Sequence, residues 1–421
     1  MNPLYLIFAC LLSIFYVWTL YNIPIIAVGV RHLRRADRRR RKTPEPDEEK
    51  LPTFTILVPA KNEEKVIGRL LRALANMDYP EQKKEIIIIS DESTDKTVEI
   101  CRKYVEKYPN QMRLFLKSTS TRKASALNYG LKYAKGEIVA TFDADNVPER
   151  DALKRAAEYF EDSSTAAVQG RICSINADQN RLTKFVSCEE TVRYEAYLQG
   201  KDRLNLFVDL AGTCQFVRRS ILESVGGWDE DSLCEDMEMS FRLTEKDCNI
   251  RYASEIRSWQ ENPANLAHLI RQRTRWYRGS MEVGLKYGRL VKKLNRKRFD
   301  AELYIMGPYV VALCLVSYLM ALYSLVVPIP SGVVFSVMAQ VASLFTFVTL
   351  FIVGVALIHV TKPLRIGNLL WLPFIYAYWS VQTFMASVAL VQILLKRPRR
   401  WTKTKRTGIV TDGALKSSCD L

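Results

Sequence analysis

Two aspartates, Asp143 and Asp145, stand one residue apart at the end of a short apolar run that reads I-V-A-T-F-D-A-D-N over 138–146. Carboxylates at that spacing suit a hard divalent cation, Mg²⁺ or Mn²⁺, which is commonly held by one or two carboxylates and completed by the phosphates of a substrate. The same D-x-D also closes strands in turns, because Asp is a frequent turn residue. Its surroundings weigh on the choice. P-A-K-N-E-E at 59–64 follows one strand-like run and D-E-S-T-D at 91–95 follows another. Ligands of open α/β sheets bind beyond the carboxyl ends of the strands, so three successive strand ends bearing carboxylates line one crevice. Within D-E-S-T-D, Asp91 at the strand end is a ligand candidate, whereas Asp95 and Thr94 equally suit the cap of the helix that follows. Pro148 marks the expected start of the helix after the D-x-D.

The elements that must position these residues alternate. A strand is predicted at 54–58, then an amphipathic helix over 63–76 with Val66, Ile67, Leu70, Leu71 and Leu74 on one face. The near-continuous isoleucine run at 85–90 predicts a strand buried on both faces. A helix at 97–107, a strand at 113–117, a helix at 123–133 and the strand from Ile138 complete the series. This pattern predicts an α/β fold with a mostly parallel sheet and helices on both faces. Neither G-x-G-x-x-G nor G-x-x-x-x-G-K-[ST] occurs, which removes the main support for dinucleotide and P-loop chemistry. The three histidines are scattered at His32, His268 and His359, and the nine cysteines contain no C-x-x-C pair. That argues against a zinc site and for reduced, structural cysteines.

Composition adds a membrane. Residues 4–30, 303–327, 333–360 and 366–395 contain no charged residue, and each exceeds the roughly 20 apolar residues that cross a hydrocarbon core. The first is too long for a signal-peptide core and lacks a small-residue cleavage site, so it reads as a retained anchor. Eight basic residues against Asp37 at 31–42, seven at 286–298 and seven at 396–406 account for more than the whole net charge of +16. All three clusters abut apolar segments, as the positive-inside rule requires of cytosolic flanks, so the basicity calls for a bilayer and not for nucleic acid. The expected protein is a multi-pass cell-membrane protein with a cytosolic domain.

Taken in order, P-A-K-N-E-E, D-E-S-T-D, F-D-A-D-N, C-E-D at 234–236 and Q-R-T-R-W at 272–276 resemble the processive inverting glycosyltransferases of family 2, which include cellulose, hyaluronan, chitin and poly-N-acetylglucosamine synthases. The resemblance runs from about Leu51 to Trp276. It implies a GT-A nucleotide-sugar-binding fold and polymerisation of sugar from a UDP-sugar donor into a β-linked, exported polysaccharide. Transfer of a single sugar to a membrane lipid is the alternative, and a non-catalytic membrane scaffold is a third reading that the intact acidic residues oppose. Carried over residue by residue, it implies that Ala60, Asn62, Glu63, Asp91, Lys123 and Asp143 bind the donor, with Asp91 accepting from uracil and Lys123 meeting the phosphates. Asp145, with Asp143, would hold Mg²⁺ or Mn²⁺. Asp236, beside Glu235, would be the general base on the acceptor hydroxyl, and Gln272, Arg275 and Trp276 would sit where acceptor and diphosphate meet. An inverting displacement needs no enzyme nucleophile, which agrees with the missing Ser/His or Cys/His constellation. One departure is Cys234, where the family usually carries Thr or another small polar residue.

The Q-x-x-R-W residues fall on a predicted helix capped by Asn262 and begun at Pro263. Leu266, Leu269, Ile270, Tyr277, Met281 and Leu285 recur along it at helical spacing, and a basic run and an apolar span follow directly, so it is read as a helix lying at the membrane surface. The stretch R-W-T-K-T-K-R-T-G at 400–408 resembles the segment that caps the nucleotide in cellulose and hyaluronan synthases; a solvated basic patch is the other reading. A cytosolic tail requires one C-terminal stretch not to cross fully, and the start of 366–395, which contains Pro373, is the candidate. The expected organisation is an anchor at 1–30, a basic linker at 31–50, the transferase domain at 51–262, interfacial helices at 263–300, a membrane bundle at 301–395 and a basic tail at 396–421.

Overall fold

The structure, a computed structural model, describes residues 3–39, 47–118, 122–288, 295–326, 366–399 and 403–411, together with single positions 340, 344, 348 and 351. The predicted span at 333–360 lies almost wholly outside these residues, as do positions 400–402 of the tail motif.

A long helix α1 (Pro3–Arg39) leads to the domain in which β1 (Phe54–Ala60), α2 (Ile67–Ala75), β2 (Lys84–Asp91), α3 (Thr97–Lys107), β3 (Met112–Lys117), α4 (Lys123–Leu131) and β4 (Ile138–Thr141) alternate as expected. Ile86 to Ile89 of β2 are fully buried, and Ile67, Leu70, Leu71 and Leu74 of α2 pack into the same core with Ile56 to Val58 of β1. A nine-residue helix is too short to persist alone in water; its buried face, at about 1.5–3 kcal/mol for each large aliphatic side chain, is what holds α2. Its start at Ile67 and not at residue 63 has a local cause. The Glu63 amide donates to Thr97 Oγ1 (2.7 Å) and the Glu64 amide to the Asp95 carboxylate (3.1 Å), so these residues serve the neighbouring loop.

The chain continues through β5 (Val147–Pro148), α5 (Ala152–Phe160), β6 (Thr165–Ser174) and α6 (Arg181–Thr191), which runs through a π-helical turn at Val192–Leu198 into α7 (Gln199–Arg203). β7 (Gln215–Arg218), α8 (Arg219–Ser224), α9 (Glu235–Glu245) and β8 (Asn249–Gln260) close the domain. Pro148 does not begin a helix. It lies in β5, paired antiparallel with Ser258 of β8 at the sheet edge, a place that tolerates a residue without an N–H.

The eight strands form one sheet in the order β3-β2-β1-β4-β7-β6-β8-β5. β3, β2, β1 and β4 are mutually parallel, β7 is antiparallel to both β4 and β6, and β8 is parallel to β6. The α/β class therefore holds, with a parallel half where strand and helix alternate strictly and a mixed half beyond β4. Within the parallel half, Pro59 sits where β1 and β4 part. The β1–β4 pairing ends at Leu57↔Thr141, and the Leu57 carbonyl accepts from Phe142. Two residues on, Pro59 faces that same side and has no N–H to offer, so β1 and β4 diverge and open a crevice.

Among the described residues, three helices are long and apolar enough to cross a membrane: Ala9–His32 within α1, Arg296–Leu319 within α11 (Arg296–Val326), and α12 (Leu372–Leu394). The start of the last apolar stretch, Ile366–Trp371, is a separate 3₁₀ segment, and α12 itself keeps full spanning length. Between domain and spans lies α10 (Leu266–Tyr287). Its cap is Asn265, whose side chain accepts from the Ala267 amide, and not Asn262, whose side-chain amide is engaged by buried Glu190 at 2.8 Å. Met281 of α10 packs against Ala312 of α11 and Ala386 and Ala389 of α12, while Leu266 and Leu285 are exposed, so the apolar stripe is only partly a seam with the spans. A buried ion pair, Lys201 Nζ to Asp300 Oδ2 at 3.0 Å, joins α7 to α11; Tyr21 of α1 also donates to Asp300.

Candidate active site

The crevice is lined by strand ends tied to one another. Asn62, in the left-handed region at φ 52°, accepts from the Thr94 amide through Oδ1 (2.7 Å) and donates its own amide to Ser93 Oγ (3.1 Å), joining the loops after β1 and β2. Ala60 is buried beside it. Asp91 is the last residue of β2, buried, with Lys117 Nζ of β3 at 3.4 Å. Asp95 plays the plain capping role: its carboxylate takes the Thr97 and Glu64 amides.

The centre is a cation held among acids. Lys123, first residue of α4, places Nζ 2.5 Å from Asp143 Oδ1 and 3.8 Å from Glu235 Oε1, and donates to the Gly212 carbonyl at 2.7 Å. Burial alone would lower this ammonium, but the carboxylates of Asp143, Glu235 and Asp236 outweigh it and hold it above its ordinary value. Gly212 is required there. It has φ +78°, and a Cβ would lie 2.9 Å from Asp236 Oδ2 and 3.2 Å from Lys123 Nζ, between that carboxylate and the cation.

Asp145 is 2% exposed; its Oδ2 accepts the Glu261 amide at 3.0 Å and lies 3.3 Å from Arg406 Nε. Among the described residues no group of three or more His, Cys, Asp or Glu is gathered for a metal. Asp143 and Asp145, each facing a cation (Lys123 and Arg406), are carboxylates of the kind that hold a divalent ion together with substrate phosphates, and in that sense they fit Mg²⁺ or Mn²⁺.

Glu235 and Asp236 open the first turn of α9. Burial and then the Glu235 carboxylate push the Asp236 carboxyl up to about 7, against Lys123, the Met237 amide and Arg275, which lower it. A carboxylate poised near neutrality is suited to accept a proton from a hydroxyl. Cys234, just before it, is buried against α10: a Cβ on Gly279 would lie 2.4 Å from its Sγ, so the thiol packs where the two helices meet most closely. Arg275 donates from Nη1 to the Leu233 carbonyl (3.0 Å), which brings the Q-x-x-R-W helix to the loop before Asp236. Gln272 reaches the tail at Thr404 Oγ1 (3.4 Å). Trp276 is half-buried with the Arg273 guanidinium 4.5 Å from its ring centre, a cation–π contact that occupies one ring face.

The tail at 403–411 lies over the crevice. Lys403 Nζ stands 2.9 Å from Glu63 Oε1 and donates to the carbonyls of Lys61 and Asn62; Arg406 pairs with Asp145 and donates to the Glu261 carbonyl. Burial pushes Glu63 up to about 7, against the lowering by Lys403. Glu261 then holds the loop, accepting from Thr407 Oγ1 (2.7 Å) and the Gly408 amide (2.9 Å). Glu261, Gly212 and Thr213, whose Oγ1 accepts the Asp143 amide, are site residues that sequence reasoning missed. The only signal for them was position: Glu261 precedes the singled-out Asn262, and Gly212-Thr213 form an ordinary-looking A-G-T turn.

A family model described as "Glycosyltransferase like family 2" matches residues 52–279, which contain every predicted site residue. The chain belongs to that family. It is 36% identical over 303 residues to the probable glycosyltransferase YdaM of Bacillus subtilis, covering 70% of each chain. It is 34% identical over 265 residues to the beta-monoglucosyldiacylglycerol synthase of a Nostoc species and 30% identical over 271 residues to the poly-beta-1,6-N-acetyl-D-glucosamine synthase of Staphylococcus aureus. The alignments span 56% and 62% of those two relatives, and 62% and 63% of this chain. The fold matches the mannosyltransferase PcManGT of Pyrobaculum calidifontis, solved with GDP-Man and Mn2+, at a TM-score of 0.59 with 21% identity over 92% of this chain and 100% of that one.

Proposed function

We propose that this glycosyltransferase is an inverting, UDP-sugar-dependent enzyme working at the cytosolic face of a membrane. The observation that carries the reading is the convergence of Lys123, Asp143, Glu235 and Asp236 within one crevice, with the base on the side that faces α10. The donor diphosphate would lie toward Lys123 with a divalent ion on Asp143 and Asp145, the ion neutralising the leaving group. Asp236 takes the proton of the acceptor hydroxyl as its oxygen attacks the anomeric carbon from the opposite face. The tail closes over the nucleotide, with Lys403 and Arg406 released to the diphosphate when ion and donor occupy the carboxylates.

For the acceptor, polymerisation of an exported polysaccharide follows from the resemblance and is supported by the poly-N-acetylglucosamine synthase among the relatives. Transfer to a membrane lipid has support of its own: a glycolipid synthase among the relatives, and a cavity between α10 and the basic end of α12 that adjoins Arg275. Purified protein incubated with a panel of radiolabelled UDP-sugars, with Mg²⁺ or Mn²⁺ and then with EDTA, tests both. Metal-dependent label in a high-molecular-weight product made without added lipid supports polymerisation; label that is organic-extractable and appears only with added lipid supports glycolipid synthesis. Transfer undiminished in EDTA contradicts the metal assignment.

A further inference from the structure

The cavity between α10 and the end of α12 has a volume of about 500 Å³, and among the described residues its wall carries four arginines and no acidic residue. Arg271, Arg275 and Arg278 come from successive turns of α10, and Arg397 from just beyond α12. Their charges are compensated unequally. Arg278 pairs with Glu282 (2.9 Å) and donates to the carbonyls of Arg397 and Pro398, fastening the chain after α12 to α10. Arg275 leaves a buried Nε without a partner once Nη1 has bonded to the Leu233 carbonyl. Arg271 and Arg397 are exposed and make no ion pair among the described residues. The remaining wall is largely apolar, with Ile270, Val388 and Pro398 prominent. Val391 and Leu394, on the same last turns of α12, are 50% and 71% exposed, as lipid-facing residues of a span would be.

A soluble anion needs cations alone. Guanidiniums backed by an apolar wall that runs onto the outer surface of a spanning helix suit an amphiphile, with its phosphate held in the bidentate geometry arginine favours and its chains lying along α12. Arg275 and Leu233, both on the cavity wall and hydrogen-bonded to each other, join it to the loop before Asp236. We propose that the cavity binds the phosphate of an anionic membrane lipid and that this phospholipid is the sugar acceptor, a deepening that rests on the lipid-acceptor reading above. In the step, the headgroup hydroxyl gives its proton to Asp236 while its oxygen bonds to the donor's anomeric carbon. The bond from that carbon to the diphosphate breaks, UDP leaves with the electron pair, and Asp236 returns its proton to solvent.

The full chain, in nanodiscs of phosphatidylcholine doped with either phosphatidylglycerol or diacylglycerol of the same acyl composition, provides the test. Native mass spectrometry should show preferential retention of phosphatidylglycerol, and Arg271→Gln/Arg397→Gln should weaken it by about fivefold per charge removed, from about 1 kcal/mol for each cation near an anionic headgroup. An unchanged thermal melt identifies the variant as folded. In the transfer assay label should enter phosphatidylglycerol, with the double variant raising its KM more than it lowers kcat. Equal retention of the two lipids, or a variant that binds like the wild type, overturns the cavity assignment. Label entering diacylglycerol alone overturns the phospholipid acceptor and leaves the lipid reading standing, whereas polymer made without lipid removes that reading as well. Competition by soluble glycerol phosphate as strong as by the lipid would show that the cavity takes phosphate without a membrane, and would also overturn the proposal.

Discussion

Asp236 carries the sharpest consequences at the scale of single residues. Its carboxyl is raised to about 7, and only the ionised form can accept a proton, so kcat/KM for the acceptor should climb as pH rises through about 7 and then level off. A profile flat from pH 5 to 8 would contradict that role. Asp236→Asn should lower kcat about 10²- to 10⁴-fold, the usual contribution of general-base catalysis, while calorimetric UDP affinity stays close to wild type. Loss of UDP binding with turnover would make Asp236 structural. Asp91, Asp143, Asp145, Glu235 and Asp236 were legible because each ends or follows a strand or opens a helix with a recognisable neighbour pattern, whereas Glu261 has no such pattern. What was not legible lies in long-range contacts: Arg406 meets Asp145, and Gly212 fits between Asp236 and Lys123, across separations no local pattern encodes.

Among the elements, the parallel half of the sheet was readable because strand and helix alternate strictly as far as β4, with isoleucines buried on both faces. The antiparallel entry of β7 was not, since four residues carry little periodicity and its pairing with β4 is set in three dimensions. Helix starts slipped where side chains outcompeted local signals, at Ile67 and at Asn265. The joint between domain and spans rests on Lys201 and Asp300, 0% and 1% exposed. Removing one partner strands a buried charge, so Asp300→Ala should cost about 3–5 kcal/mol, read as a lowered unfolding midpoint of the detergent-solubilised protein. A change below about 1 kcal/mol would show that the pair is dispensable. The tail docks on the catalytic domain, with the Thr411 amide bonded to the Ile175 carbonyl, and so should share its side of the membrane. A cysteine at the exposed position Ile409 should be blocked by membrane-permeant but not impermeant thiol reagents in intact cells; labelling from outside would contradict the capping role.

For the whole molecule, a crevice opened by the divergence of β1 and β4 faces a helix that packs on the spans and is covered by a tail returning from the last of them. Charge-free stretches made the three described helices that are long and apolar enough to cross a membrane legible, and their hydropathy needs no tertiary context. The lipid site proposed above was not legible, because it is a cavity shared by α10, α12 and the chain beyond, which only packing creates. On the proposed reading, with the donor toward Lys123 and Asp236 as the base beside α10, displacement inverts the anomeric carbon whatever the acceptor. The direct test is the anomeric configuration of the product made by purified protein from an α-linked UDP-sugar, read from the proton coupling at the anomeric carbon by NMR. The account predicts a β-linked product accompanied by one equivalent of UDP; an α-linked product would mean retention and would contradict the assignment of Asp236 as the base of a single displacement.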